Sequence, residues 1–271
     1  MPGSGTAGAD LGRDRPPIGV FRPWPRGGDL GRPGQGHVPY AVRGAKEGAA
    51  VLYRILRRIV RTLVLVGCRP VIEGVENLPA TGPVIVAGNH LSFMDSVLIP
   101  AIALRRMTFL AKAEYFEGSG LGGTLSRWFF TSMGHVPVPR TGRRASLQSL
   151  ELALEVLRRG GAFGIYPEGS RSPDGRLYRA RTGVGYLALA SGAPVVPVGL
   201  VGTAELMPIG ARLPRLRRFT LRFGAPLDFS EHLGQERSAR LRRQVADEVM
   251  EAIGALSGQE RAGVYNERAE A

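Results

Sequence analysis

Apolar, β-branched runs alternate with helical patterns along most of this chain. "PVIVAGNH" (83–90) predicts a strand, and "DSVLIPAIAL" (95–104) predicts a helix soon after it. "MTFLAKAE" (107–114) is the next strand, and a helix containing Trp128 and Phe129 leads into the strand of "GHVPVPR" (134–140). "ASLQSLELALEVLRRG" (145–160) sets Leu147, Leu150, Leu154 and Leu157 on one helical face and stops on glycine. "GAFGIYPEGS" (161–170) is a strand running into a loop; "PVVPVGLVG" (194–202) and "FTLRFGAPLDF" (219–229) are later strands, and "ERSARLRRQVADEVMEAIGAL" (236–256) is a closing helix. Such alternation predicts an α/β fold, with a mixed, mostly parallel sheet flanked by helices. In such folds ligands collect at the carboxyl ends of the strands.

The pattern weakens at both ends. Residues 1–42 are rich in Gly, Pro and Arg and carry too few apolar groups to offset the entropy of ordering, so a disordered extension is expected there. Residues 43–69 read as a basic amphipathic helical segment, 70–257 as the folded domain and 258–271 as a flexible tail. The uncharged stretch Gly183–Ala204 is long enough for a membrane span, but its five glycines and two prolines argue against one. "SGAP" breaks it into a short helix and a strand, and it reads as core.

Charge changes the picture of the amphipathic segment. The chain has a net charge of +13, and all but two of its 36 basic residues are arginine. In "VLYRILRRIVRTLVLVG" (51–67), Arg54, Arg57, Arg58 and Arg61 fall in one narrow helical sector, with Leu52, Ile55, Leu56, Ile59, Val60 and Leu63 opposite. This is the pattern of an N-terminal amphipathic helix lying in a membrane interface, its arginines reaching anionic lipid head groups. A surface helix covering its own core, with a solvated basic face, has the same pattern. Nucleic acid is a poor partner for this charge, because basic residues are not interleaved with aromatics, which make up only 7% of the chain. The single cysteine, Cys68, excludes an internal disulfide and fits a reducing compartment. The N-terminal residues contain no apolar run of the secretory kind.

Two constellations carry candidate chemistry. His90 is one of four histidines, and Asp95 follows it by five positions in an otherwise apolar or neutral stretch. Five residues apart in one helix, their side chains would point about 140° away from each other. They meet only if His90 ends the strand and Asp95 sits in the first helical turn, with Gly88 and Asn89 making the turn between. Asp95 would then fix the imidazole tautomer and leave the other nitrogen free to take a proton. Two plainer readings stand beside this one: "SFMD" (92–95) fits a capping box in which Asp95 only satisfies backbone donors, and His90 is a buried core histidine. No Ser or Cys occupies a nucleophile-elbow pattern, so the attacking hydroxyl would belong to a substrate. The second constellation, "GIYPEGSRSPDG" (164–175), places Glu168, Gly169 and Arg171 in a loop after a strand. Gly169 permits close backbone approach, and Arg171 offers a planar fork to phosphate oxygens, as does Arg140 at the end of "GHVPVPR". A tight polar turn with solvated arginines is the alternative. No metal site is expected, since there is no Cys cluster, H-E-x-x-H or acidic calcium loop.

Together these motifs resemble the 1-acylglycerol-3-phosphate acyltransferase family of membrane-associated glycerolipid acyltransferases. N-H-x-x-x-x-D stands as Asn89, His90 and Asp95; the β-branched block ending in arginine as "GHVPVPR" with Arg140; [FY]-P-E-G-[ST]-R as Tyr166 to Arg171; and a V-P-V strand as Val196 to Val198. The resemblance covers roughly residues 70–225, with Tyr166 where Phe is frequent. It implies that an acyl group moves from acyl-CoA or acyl-carrier protein to a lysophospholipid hydroxyl. His90 would be the general base and Asp95 its orienting acid. Asn89, Arg140, Glu168, Gly169, Ser170 and Arg171 would bind the substrate. No cofactor is implied beyond the thioester donor, since a thioester is already activated. Backbone N–H groups at the helix start after Asn89 are candidate oxyanion donors. A lipid acceptor fits an enzyme seated on the cytoplasmic face of the cell membrane. Glycerol-3-phosphate, a lyso-ornithine lipid or another lysophospholipid are alternative acceptors. A non-catalytic protein binding anionic membrane or nucleic acid is the alternative from another class.

Overall fold

The structure is a computed structural model that describes residues 47–103, 105–132, 134–138, 143–211 and 213–267. The chain divides into two units, Met1–His37 and Val38–Ala271, and every described residue belongs to the second. The extension expected over residues 1–42 therefore lies outside the described residues.

The elements follow in order: α1 (Glu47–Cys68), β1 (Val71–Glu73), β2 (Val84–Gly88), α2 (Asp95–Ile102), β3 (Met107–Lys112), α3 (Glu114–Glu117), α4 (Gly120–Ser132), β4 (His135–Val138), α5 (Arg143–Arg158), β5 (Ala162–Ile165), α6 (Gly183–Ser191), β6 (Val195–Val201), α7 (Thr203–Leu206), β7 (Thr220–Phe223) and α8 (Ala239–Ser257). Among the described residues they make one seven-stranded sheet in the order β1-β7-β6-β2-β5-β3-β4. Only β6 and β7 pair antiparallel; the other neighbours are parallel. The expected α/β architecture, with a mostly parallel sheet between helices, is what forms.

Alternation along the central strands builds two cores. On one face Ile85, Ala87, Phe163 and Val195 pack with α5, α6 and α8 around Leu157, Leu187 and Val249. On the other, Val84, Val86, Ala162 and Val198 pack with α1 and α2 around Leu98, Ile102 and Phe109. Gly164 is required where β5 meets β3, since a Cβ there would lie 2.1 Å from the Phe109 ring. Val184, Leu187, Val195 and Leu200 are all buried, so the long uncharged stretch is core, and no helix among the described residues is long and apolar enough to cross a membrane.

Two local expectations shift. In α5 the inward face runs through Ala153, Leu154 and Leu157, while Leu147 is exposed because the first turns reach past the core. In α1 the side chains turned to the core are Tyr53, Val64 and Cys68, and Arg57 Nε donates to the Ala101 carbonyl at 3.4 Å. Ile55, Ile59, Leu63 and Val66 are 50–72% exposed beside exposed Arg54 and Arg58. Ile55, Ile59 and Leu63 of the apolar stripe thus face away from this domain, while Val60 of the same stripe packs on its core.

Within the expected tail, residues 268–271 lie outside the described residues. The stretch Gln259–Asn266 lies along the loop after β5, with Leu177 N donating to Glu260 O, Ala262 N to Leu177 O and Arg179 N to Val264 O, each at 2.8–2.9 Å. Arg179 stacks its guanidinium 5.2 Å from the Tyr265 ring centre. Backbone pairing of this kind is invisible in a polar, glycine-containing sequence.

Candidate active site

β2 lies at the centre of the sheet, flanked by β5 and β6, all three parallel. Their carboxyl ends therefore open on the same edge, and the segments that leave β2 and β5 meet there. His90 follows β2, and Asp95 opens α2. Asp95 Oδ2 accepts from His90 Nδ1 at 2.9 Å and from the backbone N–H groups of Leu91 and Ser92 at 2.7 Å. The capping and orienting readings of Asp95 are thus both satisfied by one oxygen. The carboxyl is fully buried, while the His90 side chain stays 16% exposed. With Nδ1 engaged as a donor to Asp95, Nε2 is the nitrogen left with a lone pair, and no described residue hydrogen-bonds to it.

The imidazole stands on a platform. The Tyr166 ring stacks on it with centroids 3.9 Å apart and planes within 7°. Ser96, next to Asp95, donates its hydroxyl to Tyr166 Oη at 3.1 Å, which ties the platform to α2. Burial and the nearby Asp95 carboxylate push the Tyr166 phenol upward, so it stays neutral.

Glu168 joins the two segments. Its Oε1 accepts from His90 N and its Oε2 from Tyr178 N, both at 2.9 Å, and the side chain is buried. The Glu168 oxygens therefore face backbone amides. Burial pushes the Glu168 carboxyl from 4.5 up to about 7, with the bonds from Tyr178 and His90 pulling against it. A carboxyl whose pKa is raised on folding contributes stability that falls as pH climbs from about 4.5 to about 7. Glu168→Gln removes that dependence. Thermal unfolding at pH 5 and pH 8 is expected to shift in the variant's favour at the higher pH; a difference independent of pH would return the carboxyl to its ordinary range.

Asn89 is also fully buried and committed. Its Oδ1 accepts from Leu200 N at 2.7 Å, and its Nδ2 donates to Leu200 O at 2.9 Å and to Gln259 Oε1 at 2.7 Å. Gly169 has φ of +84°, a conformation that suits glycine, and a Cβ there would sit 3.1 Å from Arg181 Nε. The Arg171 carbonyl accepts from Asn266 Nδ2 at 3.0 Å, while no described residue holds the Arg171 guanidinium. The Ser170 hydroxyl is buried without a hydrogen bond among the described residues. Arg140 lies outside the described residues.

The backbone donors after Asn89 are not free. His90 N serves Glu168, Leu91 N and Ser92 N serve Asp95, and Met94 N meets Ser92 Oγ at 3.3 Å. Three of the four hold the two carboxylates and the fourth meets a hydroxyl, so they do not form the oxyanion site expected of them. Among the described residues no cluster of three or more His, Cys, Asp or Glu side chains is placed to hold a metal ion. The Tyr166 platform and Gln259 were missing from the sequence-derived site. Tyr166 could have been found from its place in the motif, whereas nothing around Gln259 signals a role.

Residues 69–201 match the acyltransferase family, and this span contains both halves of the His90 site. Those residues, about half of the chain, belong to that family. A chloroplastic 1-acyl-sn-glycerol-3-phosphate acyltransferase of Arabidopsis thaliana is 35% identical over 141 residues, covering 52% of this chain and 38% of that protein. The corresponding protein of Brassica napus is 34% identical over the same length, 39% of its own. This chain thus spans about two fifths of the plant relatives it matches. The crystal structure of 1-acyl-sn-glycerophosphate (LPA) acyltransferase, PlsC, from Thermotoga maritima superposes with a TM-score of 0.59 at 25% identity, over 80% of this chain and 85% of that one. In acyltransferase-family terms, Gln259 and Asn266 lie beyond the matched span.

Proposed function

We propose that this acyltransferase-family protein moves a fatty acyl group from acyl-CoA or acyl-carrier protein to the free hydroxyl of 1-acylglycerol-3-phosphate, giving phosphatidic acid. The observation that carries the reading is the His90 imidazole, held through Nδ1 by the buried Asp95 and left open at Nε2. Relatives named as acyltransferases for this acceptor support it.

In this reading Nε2 takes the proton from the acceptor hydroxyl as its oxygen attacks the thioester carbonyl. The C–S bond breaks, and the thiolate leaves and takes up the proton from the imidazolium. The Asp95 charge stabilises that imidazolium, and the Tyr166 face lies against it. No covalent acyl-enzyme forms. Arg171 and Arg140 pair with the phosphate of the acceptor, and Gly169 lets the phosphoglycerol approach the backbone. Asn89 and Glu168 hold the two segments in register rather than touching the phosphate.

A panel of acceptors given one labelled acyl-CoA tests this. Labelled phosphatidic acid from 1-acylglycerol-3-phosphate, formed at least about tenfold faster than product from a lysophosphatidylcholine, is expected from phosphate-monoester recognition by two arginines. Better turnover of glycerol-3-phosphate or a lyso-ornithine lipid would move the acceptor assignment. No transfer to any lysolipid would end the acyl-transfer reading.

A lipid acceptor places the enzyme at a membrane surface, on the cytoplasmic leaflet. The exposed stripe of Ile55, Ile59, Leu63 and Val66 supports that seating, as do exposed Leu213 and, between Arg215 and Arg217, exposed Leu216. The two groups adjoin, since Gly67 faces the Leu216 side chain. Apolar insertion flanked by arginine is the chemistry of an anionic interface. The protein is expected to sediment with vesicles containing phosphatidylglycerol, to release at high salt, and to bind several-fold more weakly as Leu63→Glu or Leu216→Glu. Equal binding of both variants would remove this surface from the interface.

A further inference from the structure

The stretch after α8 reaches the site from outside the family's matched span, and one of its side chains touches both catalytic segments. Gln259 Oε1 accepts from Asn89 Nδ2 at 2.7 Å, and Gln259 Nε2 donates to the Gly175 carbonyl at 2.6 Å. We propose that Gln259 is a positioning residue that locks the segment bearing His90 to the loop bearing Arg171. Its rate consequences rest on the acyl-transfer reading above; its geometric consequences do not.

The argument begins at Asn89. Its side chain is fully buried, and its other N–H and its carbonyl oxygen are taken by the Leu200 backbone. Gln259 supplies the remaining acceptor. Without it a buried amide N–H is left unpaired, which a folded chain avoids by moving. Asn89 is bonded directly to His90, so the movement is passed to the imidazole. His90 is in turn fastened to the second segment, since Ser172 N donates to the His90 carbonyl at 2.7 Å and Glu168 takes the His90 N–H. The same second segment is gripped by the C-terminal stretch at Gly175, at Leu177 and at Arg171, the last through Asn266 Nδ2. Asn266 is itself 3% exposed, so its bond is made inside the fold.

A primary amide is what the position needs. It offers an acceptor toward Asn89 and a donor toward Gly175 from one planar group. Glutamate keeps the acceptor and loses the donor. Methionine keeps the length and loses both.

The test compares full-length wild type, Gln259→Met and Gln259→Glu. Three measurements are made: amide hydrogen exchange at Leu200 and Ser172, the NMR titration of the His90 ring (assigned with His90→Ala), and steady-state kinetics with 1-acylglycerol-3-phosphate. Gln259→Met is expected to speed exchange at both amides by about tenfold or more and to move the His90 titration midpoint. Its kcat is expected to fall roughly 10- to 100-fold while KM for the acyl donor stays within about twofold. Gln259→Glu is expected to fall between, with its larger exchange change at Ser172. A folded Gln259→Met protein with wild-type exchange and wild-type His90 titration overturns the proposal, as does a rate loss that only tracks the unfolded fraction. A wild-type protein that transfers no acyl group while Gln259→Met still perturbs exchange and titration sinks the acyl-transfer reading and leaves the positioning role standing.

Discussion

Replacing His90 with alanine is expected to lower kcat for acyl transfer by roughly 100- to 10,000-fold while leaving the protein folded. The estimate is the usual contribution of a positioned general base. The thioester is activated without the imidazole, so some transfer remains. The structural cost is the stack on the Tyr166 ring and one of the three hydrogen bonds to the buried Asp95, whose other two, from Leu91 N and Ser92 N, remain. Loss of one stacked pair is worth about 1 kcal/mol. Steady-state kinetics beside a thermal melt check both halves. A variant that keeps wild-type kcat would remove His90 from the chemistry. A variant that melts far below wild type would make the histidine structural.

Asp95→Asn is expected to damage both rate and stability, and in a diagnostic ratio. One carboxylate oxygen takes three hydrogen bonds, from His90 Nδ1, Leu91 N and Ser92 N. An amide oxygen in the same place can keep those bonds but carries no full charge, so it no longer stabilises the imidazolium. The other oxygen is buried with no partner among the described residues, so an amide NH2 there would be unpaired. That costs about 1–3 kcal/mol of stability. If the amide turns over, its NH2 meets two backbone N–H groups and forces the wrong imidazole tautomer. Either way kcat is expected to drop roughly 100- to 10,000-fold with little change in KM for the acceptor. A loss confined to KM would assign Asp95 to acceptor binding instead.

The strand, turn and helix around His90 were legible because everything that makes them is local. "VIVAG" and "DSVLIPAI" differ in period and length, and the six residues between them can only be a turn. The loop after β5 was legible for the same reason: glycine, proline and charge follow an apolar run at once. What joins the two loops was not local. Glu168 reaches His90 N across 78 residues and Asn89 meets Gln259 across 170. A motif shows that Glu168 belongs to the site, yet only strand order shows that its oxygens face backbone amides. The sheet order itself depends on pairings such as β2 with β5, which periodicity does not encode. The polarity of α1 was misleading in a physical way. Ile55, Ile59 and Leu63 of its apolar stripe are solvent-exposed, while Val60 of that stripe packs inward with Tyr53, Arg57 and Val64. Amphipathic patterning reports two kinds of surface without saying which one meets the core. The C-terminal stretch hid its contacts because they are backbone bonds and amide side chains, which leave no hydrophobic trace.

The central claim is that a neutral imidazole at residue 90 takes the acceptor's proton. The pH dependence of kcat/KM for 1-acylglycerol-3-phosphate, in wild type and in His90→Ala, measures it most directly. Wild type should lose activity tenfold per pH unit on the acid side of one inflection, as protonation removes the base. The residual rate of His90→Ala should lack that inflection. The same acid limb in both proteins, or a flat wild-type profile, would contradict the account.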